Sequence, residues 1–303
     1  MVSRRNFLRV LGTASGTAAI AAVPGARAAE GHHGPPLDND RVGMLIDTTE
    51  CIGCRRCEWA CAQENDLPYG PLDSYDDTSV FEERRRPTDQ AFTVVNRYEP
   101  LPGSEKPLDV KAQCMHCEHP ACVSACIVGA LEKNPQGPVT YDAWKCIGCR
   151  YCMVACPFQI PAYEYGNALT PQVMKCSLCT ERTLEAGKLP ACVEICPREA
   201  LFFGKRDALV KVAWDKIRSA PDRYHQHVYG EHEVGGTSVM LLSDRDFRKM
   251  DLPALADRSP ATITESIQHG IFRGFSGPIM LFGLMAVLMK SSSGKDVEED
   301  RHA

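Results

Sequence analysis

Sixteen cysteines in a chain of 303 residues fall into four groups of four, with none left over. The groups are Cys51, Cys54, Cys57 and Cys61; Cys114, Cys117, Cys122 and Cys126; Cys146, Cys149, Cys152 and Cys156; and Cys176, Cys179, Cys192 and Cys196. The third group lies in residues 145–157, Lys-Cys-Ile-Gly-Cys-Arg-Tyr-Cys-Met-Val-Ala-Cys-Pro, a C-x2-C-x2-C-x3-C-P run. In such a run three closely spaced thiolates hold three irons of one cubane, and the fourth reaches a neighbouring cluster. Soft thiolate sulfur suits iron in such clusters. All sixteen ligands are present, which predicts four [4Fe–4S] clusters; a replaced ligand would have suggested a three-iron centre. Zinc and disulfides also use cysteine. Zinc usually takes two C-x2-C pairs separated by a longer loop, and only the fourth group, C-S-L-C-x12-C-x3-C-P, looks like that. Disulfide frameworks rarely repeat C-x2-C tetrads, so clusters account best for count and spacing together.

The segments around the cysteines support this. Residues 1–28 carry Ser3-Arg4-Arg5-Asn6-Phe7-Leu8-Arg9, a weakly apolar stretch from Val10 to Val23, and Ala26-Arg27-Ala28 as a cleavage site. This is a twin-arginine signal peptide. That route exports folded proteins, so clusters are inserted in the reducing cytoplasm before the thiols meet an oxidising compartment. Residues 29–42 read as a linker. Short strands are expected at 43–47, 92–95, 139–142, 200–204 and within 235–242, and helices at 57–63 and 206–218. Residues 65–110 hold no cysteine and several prolines; a long loop of this kind is usually functional or covered by a partner. The run Glu82-Glu83-Arg84-Arg85-Arg86 within it reads as a solvated charge run, with docking of an acidic partner as the alternative. Residues 274–289 are sixteen residues without charge. Extended back to Ile271, with Arg273 snorkelling, they approach the ~20 residues of a spanning helix, so residues 271–290 are expected to be transmembrane, followed by a charged tail, 291–303.

Composition excludes other classes. The chain is 44% hydrophobic and 24% charged, as folded proteins are, and its net charge of −5 argues against non-specific nucleic-acid binding. No Ser/His/Asp set, phosphate loop or acid–base pair stands out, so no catalytic residue is assigned and substrate turnover is expected in a partner. His116, between Cys114 and Cys117, reads as a loop residue; a hydrogen bond from it to cluster sulfur is the alternative.

The four tetrads resemble those of the iron–sulfur subunits of molybdopterin oxidoreductases and membrane hydrogenases. The twin-arginine signal, Gln113-Cys114-Met115-His116-Cys117, the run from Cys149 to Pro157, and Ser266-Ile267-Gln268-His269 before an apolar helix bring the chain nearest the electron-transfer subunits of hydrogenase-2-type [NiFe] hydrogenases. The resemblance implies an α+β fold of two ferredoxin-like two-cluster modules, one inserted in the other, with long loops and a C-terminal transmembrane helix. The outer module would comprise residues 43–110 and 166–219, the inserted module residues 111–165, and residues 220–270 a wrapping extension. Spacing alone leaves the pairing of tetrads open. The resemblance pairs the first with the fourth and the second with the third. One cluster would then take Cys51, Cys54, Cys57 and Cys196, and its partner Cys176, Cys179, Cys192 and Cys61. The inserted module would hold Cys114, Cys117 and Cys122 with Cys156, and Cys146, Cys149 and Cys152 with Cys126. Ile127 departs from the family, which often has proline there. The implied role is electron transfer between a periplasmic [NiFe] hydrogenase, through its small and large subunits, and a polytopic quinone-reactive membrane subunit at the bilayer. Alternatives are the iron–sulfur subunit of a formate dehydrogenase, whose relatives usually travel on a partner's signal, and a zinc-stabilised scaffold.

Overall fold

The structure, a computed structural model, describes residues 37–299 apart from 104, 168 and 275. The twin-arginine segment, residues 29–36 of the linker and residues 300–303 lie outside the described residues. All sixteen cysteines belong to one compact unit, residues 32–265; residues 266–303 belong to a second unit.

The cysteine-bearing unit is built on strand β1, Val42–Asp47. Strand β8, Leu201–Lys205, pairs with it antiparallel, with Met44 opposite Phe203. Strand β9, Val239–Leu242, pairs with its other edge in parallel, with Met44 opposite Val239. A strand buried on both faces needs an unbroken apolar run rather than alternation, and Met44, Leu45 and Ile46 provide it. Met44 and Ile46 face one core together with Val239, Leu241, Leu201 and the Cys192 side chain. Leu45, Met240 and Leu242 face the other, where Leu209, Ala213 and Ile217 of the helix Arg206–Ser219 pack. Those three helix residues recur every fourth position, the stripe of a helix laid on a sheet. The expected strands at 43–47 and 200–204 and the helix at 206–218 are all present. The 220–270 segment does more than wrap, because it supplies β9 to the sheet.

Between β1 and β8 the chain makes small units. The helix Arg56–Glu64 follows the first cysteine loop. Two hairpins, β4 (Leu131–Lys133) with β5 (Val139–Tyr141) and β6 (Ala162–Tyr163) with β7 (Val173–Met174), alternate with the helices Ala121–Ser124 and Tyr151–Ala155. These are ferredoxin-type strand–loop–helix units. The fourth tetrad encloses one wide turn, Glu181–Glu185, and a short helix, Ala191–Glu194.

The cysteine-free loop is more ordered than expected. Its strand β2 spans Val94–Tyr98 and pairs antiparallel with β3, Leu108–Ala112, which the charged sequence Leu-Asp-Val-Lys-Ala concealed. Leu108 and Val110 point into the core, while Asp109 and Lys111 are buried on the opposite face. Nor is the arginine run simply solvated. The Arg85 guanidinium donates to Val95 O at 2.7 Å and to the buried Glu58 carboxylate at 2.6 Å, which also accepts from Val95 N at 2.6 Å. The loop is thereby pinned to the helix that carries Cys57 and Cys61.

The expected transmembrane helix over 271–290 is not found. The helices Ala261–Gly274 and Ser276–Glu299 cover its described residues. Among the described residues no helix is long and apolar enough to cross a membrane. The helix Ser276–Glu299 carries an uncharged segment only as far as Met289. The helix then runs straight into Lys290, Lys295, Asp296, Glu298 and Glu299. Most of the expected tail is thus part of this helix.

Candidate iron–sulfur site

The fold sorts the sixteen thiols into four groups that cut across the sequence tetrads. Cys51, Cys54 and Cys57 share the wall of one cavity with Cys196. Cys61 is pushed up by burial and then by the neighbouring Cys176, Cys192 and Cys179. Cys117 is raised by burial and then by Cys114, Cys122 and Cys156. Cys152 is raised to about 11 by burial and then by Cys146, Cys149 and Cys126. In each group three cysteines of one tetrad meet one of another.

The groups also follow one another in space. Cys152 is among the thiols that raise Cys122, which burial chiefly pushes up to about 12. Cys114 acts likewise on Cys176, also about 12 and chiefly from burial. Cys192 acts on Cys57, again after burial. The series therefore runs from the Cys126/Cys146/Cys149/Cys152 group, through the Cys114 group, then the Cys176 group, to the Cys51 group.

Local sequence explains how the loops are shaped. The first and third tetrads share Cys-Ile-Gly-Cys-Arg, and the backbone repeats with it: φ is +68° and +69° at Gly53 and Gly148, and +56° and +61° at Arg55 and Arg150. The second and fourth tetrads share Pro-Ala-Cys at 120–122 and 190–192, each opening a four-residue helix. In these loops backbone N–H groups turn toward sulfur. Ala130 N donates to Cys126 Sγ at 3.2 Å, Leu178 N to Cys176 Sγ at 3.3 Å and Gly148 N to Cys146 Sγ at 3.5 Å. Such donors stabilise thiolate sulfur and tune a cluster's potential. A Cβ on Gly148 would stand 2.8 Å from Tyr163 Oη on a left-handed backbone. Gly148→Ala should therefore cost roughly 1–2 kcal/mol; thermal unfolding of the holo-protein checks this, and an unchanged midpoint would show the loop to be unstrained.

The donor chemistry fits iron–sulfur clusters. All sixteen cysteines are free thiols. Burial pushes up nine of them, among them Cys57, Cys61 and Cys117, so that a metal must displace the proton when it binds. No three cysteine, histidine or carboxylate side chains among the described residues converge to hold a single ion, whereas a closed zinc site places four ligands about 2.3 Å from one metal. Three lysines that the sequence reading passed over, Lys111, Lys133 and Lys175, are 4–6% exposed beside these thiols. A buried ammonium is costly without a nearby anion, and a thiolate-ligated cluster is one. The available signal was their position: Lys111 alternates with apolar residues in β3, and Lys175 immediately precedes Cys176.

The opposite end of the series is open. Cys149 is exposed, and around its tetrad Trp144 is 99%, Val154 83%, Ile147 62% and Tyr151 61% exposed. Ile127 is exposed beside Cys126 in the same group.

The strand–loop–helix units and four-thiol groups are those of a 4Fe–4S protein, and residues 108–206 match the 4Fe-4S dicluster domain family. The chain is 34% identical over 325 residues, 97% of each chain, to the hydrogenase-2 operon protein HybA of Escherichia coli O157:H7. It is 31% identical over 281 residues, 86% of this chain and 90% of the relative, to the nitrate-inducible formate dehydrogenase iron–sulfur subunit of Escherichia coli K12. With a protein of Nitratidesulfovibrio vulgaris Hildenborough it shares 52% identity over 246 residues, 81% of this chain but 65% of the relative's length. The chain belongs to the family of iron–sulfur electron-transfer subunits of hydrogenases and molybdopterin oxidoreductases. Its cofactors are 4Fe–4S clusters, and sixteen cysteines accommodate four.

Proposed function

We propose that this chain conducts electrons between a periplasm-facing [NiFe] hydrogenase and a quinone-reactive membrane subunit. The observation that carries the reading is the contiguous series of four cysteine groups, from the exposed group around Cys149, through the Cys114 and Cys176 groups, to the half-buried Cys51 group. Bound clusters supply one-electron redox chemistry without proton transfer to a substrate. The chain's part is to hold them in order and dry, and to offer a surface at which a partner approaches. We assign Cys51, Cys54, Cys57 and Cys196 to one cluster, and Cys61, Cys176, Cys179 and Cys192 to the next. Cys114, Cys117, Cys122 and Cys156 hold the third, and Cys126, Cys146, Cys149 and Cys152 the fourth. The apolar ring of Trp144, Ile147, Tyr151 and Val154 is the docking face at that fourth cluster, since exposed apolar patches of this kind mark interaction sites. Full-length similarity to HybA and the twin-arginine motif at Arg4 and Arg5 support a hydrogenase partner and an exported location.

Similarity to a formate dehydrogenase iron–sulfur subunit supports a second reading, in which the same wire serves formate oxidation. Low-temperature EPR of the native complex under hydrogen and then under formate separates the two. Cluster signals under hydrogen alone, reversed by a quinone analogue, are expected. Signals under formate alone would move the chain to the second reading.

A further inference from the structure

Two of the buried lysines, Lys133 and Lys175, are linked through His116, and Lys111 is bound separately to Gln113. Lys175 Nζ donates to Val139 O and, at 3.1 Å, to Cys176 O. Val139 N in turn donates to His116 Nδ1 at 2.9 Å. Lys133 Nζ donates to His116 O at 3.1 Å, to Ser238 Oγ at 3.2 Å and to Gly137 O. Lys111 Nζ donates to Gln113 Oε1, one residue before Cys114. All the acceptors of the three lysines are neutral oxygens. Glu118, which acts on Lys133 electrostatically, is already paired with Arg41 at 2.6 Å and Arg206 at 3.1 Å.

His116 completes the set. It is 1% exposed and adopts a positive φ of +47°. Because Nδ1 accepts a hydrogen bond, the neutral ring carries its proton on Nε2. That buried nitrogen has no hydrogen-bond partner. Three ammoniums and one N–H donor are thus buried beside the cysteine loops with no anion among these contacts.

The set reaches three cysteine groups and not the fourth. Lys111 lines the cavity that Cys51, Cys54, Cys57 and Cys196 share, and Cys61 and Cys176 also act on it. Lys133 bonds His116 O, in the loop between Cys114 and Cys117. Lys175 bonds Cys176 O. None of the hydrogen bonds of these three lysines goes to the loops that carry Cys126, Cys146, Cys149 and Cys152.

We propose that Lys111, Lys133 and Lys175, with His116 between the last two, are a fixed cationic layer that holds the three clusters away from Cys149 at higher potential than the exposed one. Reduction adds one negative charge to a cluster, so a nearby ammonium favours the reduced state, most strongly where water is excluded. An electron arriving at the exposed cluster is then drawn inward. The lysines are positioning residues: they touch the cluster loops and act through charge. The inference rests on the electron-carrier reading and deepens it.

The test is an EPR-monitored redox titration of the full-length holo-protein, with iron and sulfide content, for Lys111→Met and Lys111→Arg. Lys111→Met removes the charge and keeps most of the apolar stem. With four clusters retained, it should move two of those three midpoints to more negative potential. The exposed cluster, identified by the signal that Cys149→Ser removes, should not move. Lys111→Arg should stay close to the parent. If Lys111→Met loses a cluster while Lys111→Arg keeps it at the parent potential, charge is still the cause. Unchanged potentials in Lys111→Met with full iron would overturn the proposal, as would equal cluster loss in both variants, which would mean that only shape matters. A parent protein without iron would instead refute the electron-carrier reading itself, a result visible before any variant is made.

Discussion

Cys196→Ser should extinguish the same EPR signal as Cys54→Ser, although the two cysteines are far apart in sequence. Cys192→Ser, only four residues away, should extinguish a different one. The reason is geometric. Cys196 shares a cavity wall with Cys51, Cys54 and Cys57, whereas Cys192 is among the thiols closest in effect to Cys61 and Cys179. Loss of one thiolate from a cubane costs the cluster or converts it to a three-iron form, so each variant should change one of four signals and leave the others. Matching losses for Cys196→Ser and Cys192→Ser would mean that the fourth tetrad holds its own cluster, and the assignment across tetrads would be wrong. The same variant should interrupt electron delivery to quinone while leaving a partner's reaction with artificial acceptors intact, because that reaction bypasses the chain.

Removing the iron should unfold most of the cysteine-bearing region. Its helices Ala121–Ser124, Tyr151–Ala155 and Ala191–Glu194 are four or five residues long, against the ~12–15 residues at which an isolated helix becomes even marginal in water. Its hairpins pair two or three residues per strand. Two of its core clusters are built around thiols: Cys61, Cys114 and Cys176 with Leu67, Phe92 and Ile160, and Cys122 and Cys152 with Leu131, Val139 and Val173. Without a cluster to bind, these thiols surround the buried ammoniums with no opposing charge. Metal-binding free energy is then folding free energy. Hydrogen exchange of chelated protein should show protection lost across 108–200 and kept longest in β1, β9 and the helix Arg206–Ser219, whose core of Leu45, Leu209, Ala213, Ile217 and Met240 contains no cysteine. Uniform protection in the apo-protein would show that the loops fold without metal.

The chemistry of this protein was legible in its sequence because ligand spacing is local. Two residues between cysteines is what a tight loop needs to place thiolates on one cubane, so Cys146, Cys149 and Cys152 announce a cluster with no knowledge of the fold. Strand β1 and the helix Arg206–Ser219 were legible for a related reason, since a short apolar run and a four-residue stripe are themselves local patterns. Other features were not. Which tetrad pairs with which depends on β8 returning to β1 and so carrying Cys196 back to Cys51, a contact no spacing encodes. The hairpin partner β3 was hidden because Asp109 and Lys111 look like surface residues; Asp109 is buried against Arg97 across the strand pair and Lys111 against thiols. At 271–290 local apolarity suggested a membrane-spanning helix, and among the described residues no helix is long and apolar enough to be one. Sequence by itself determined that the chain carries 4Fe–4S clusters, because that is a matter of donor type and spacing over a few bonds. Only the tertiary structure decided how the groups follow one another and which charges lie beside them, because both are set by segments that meet across the chain.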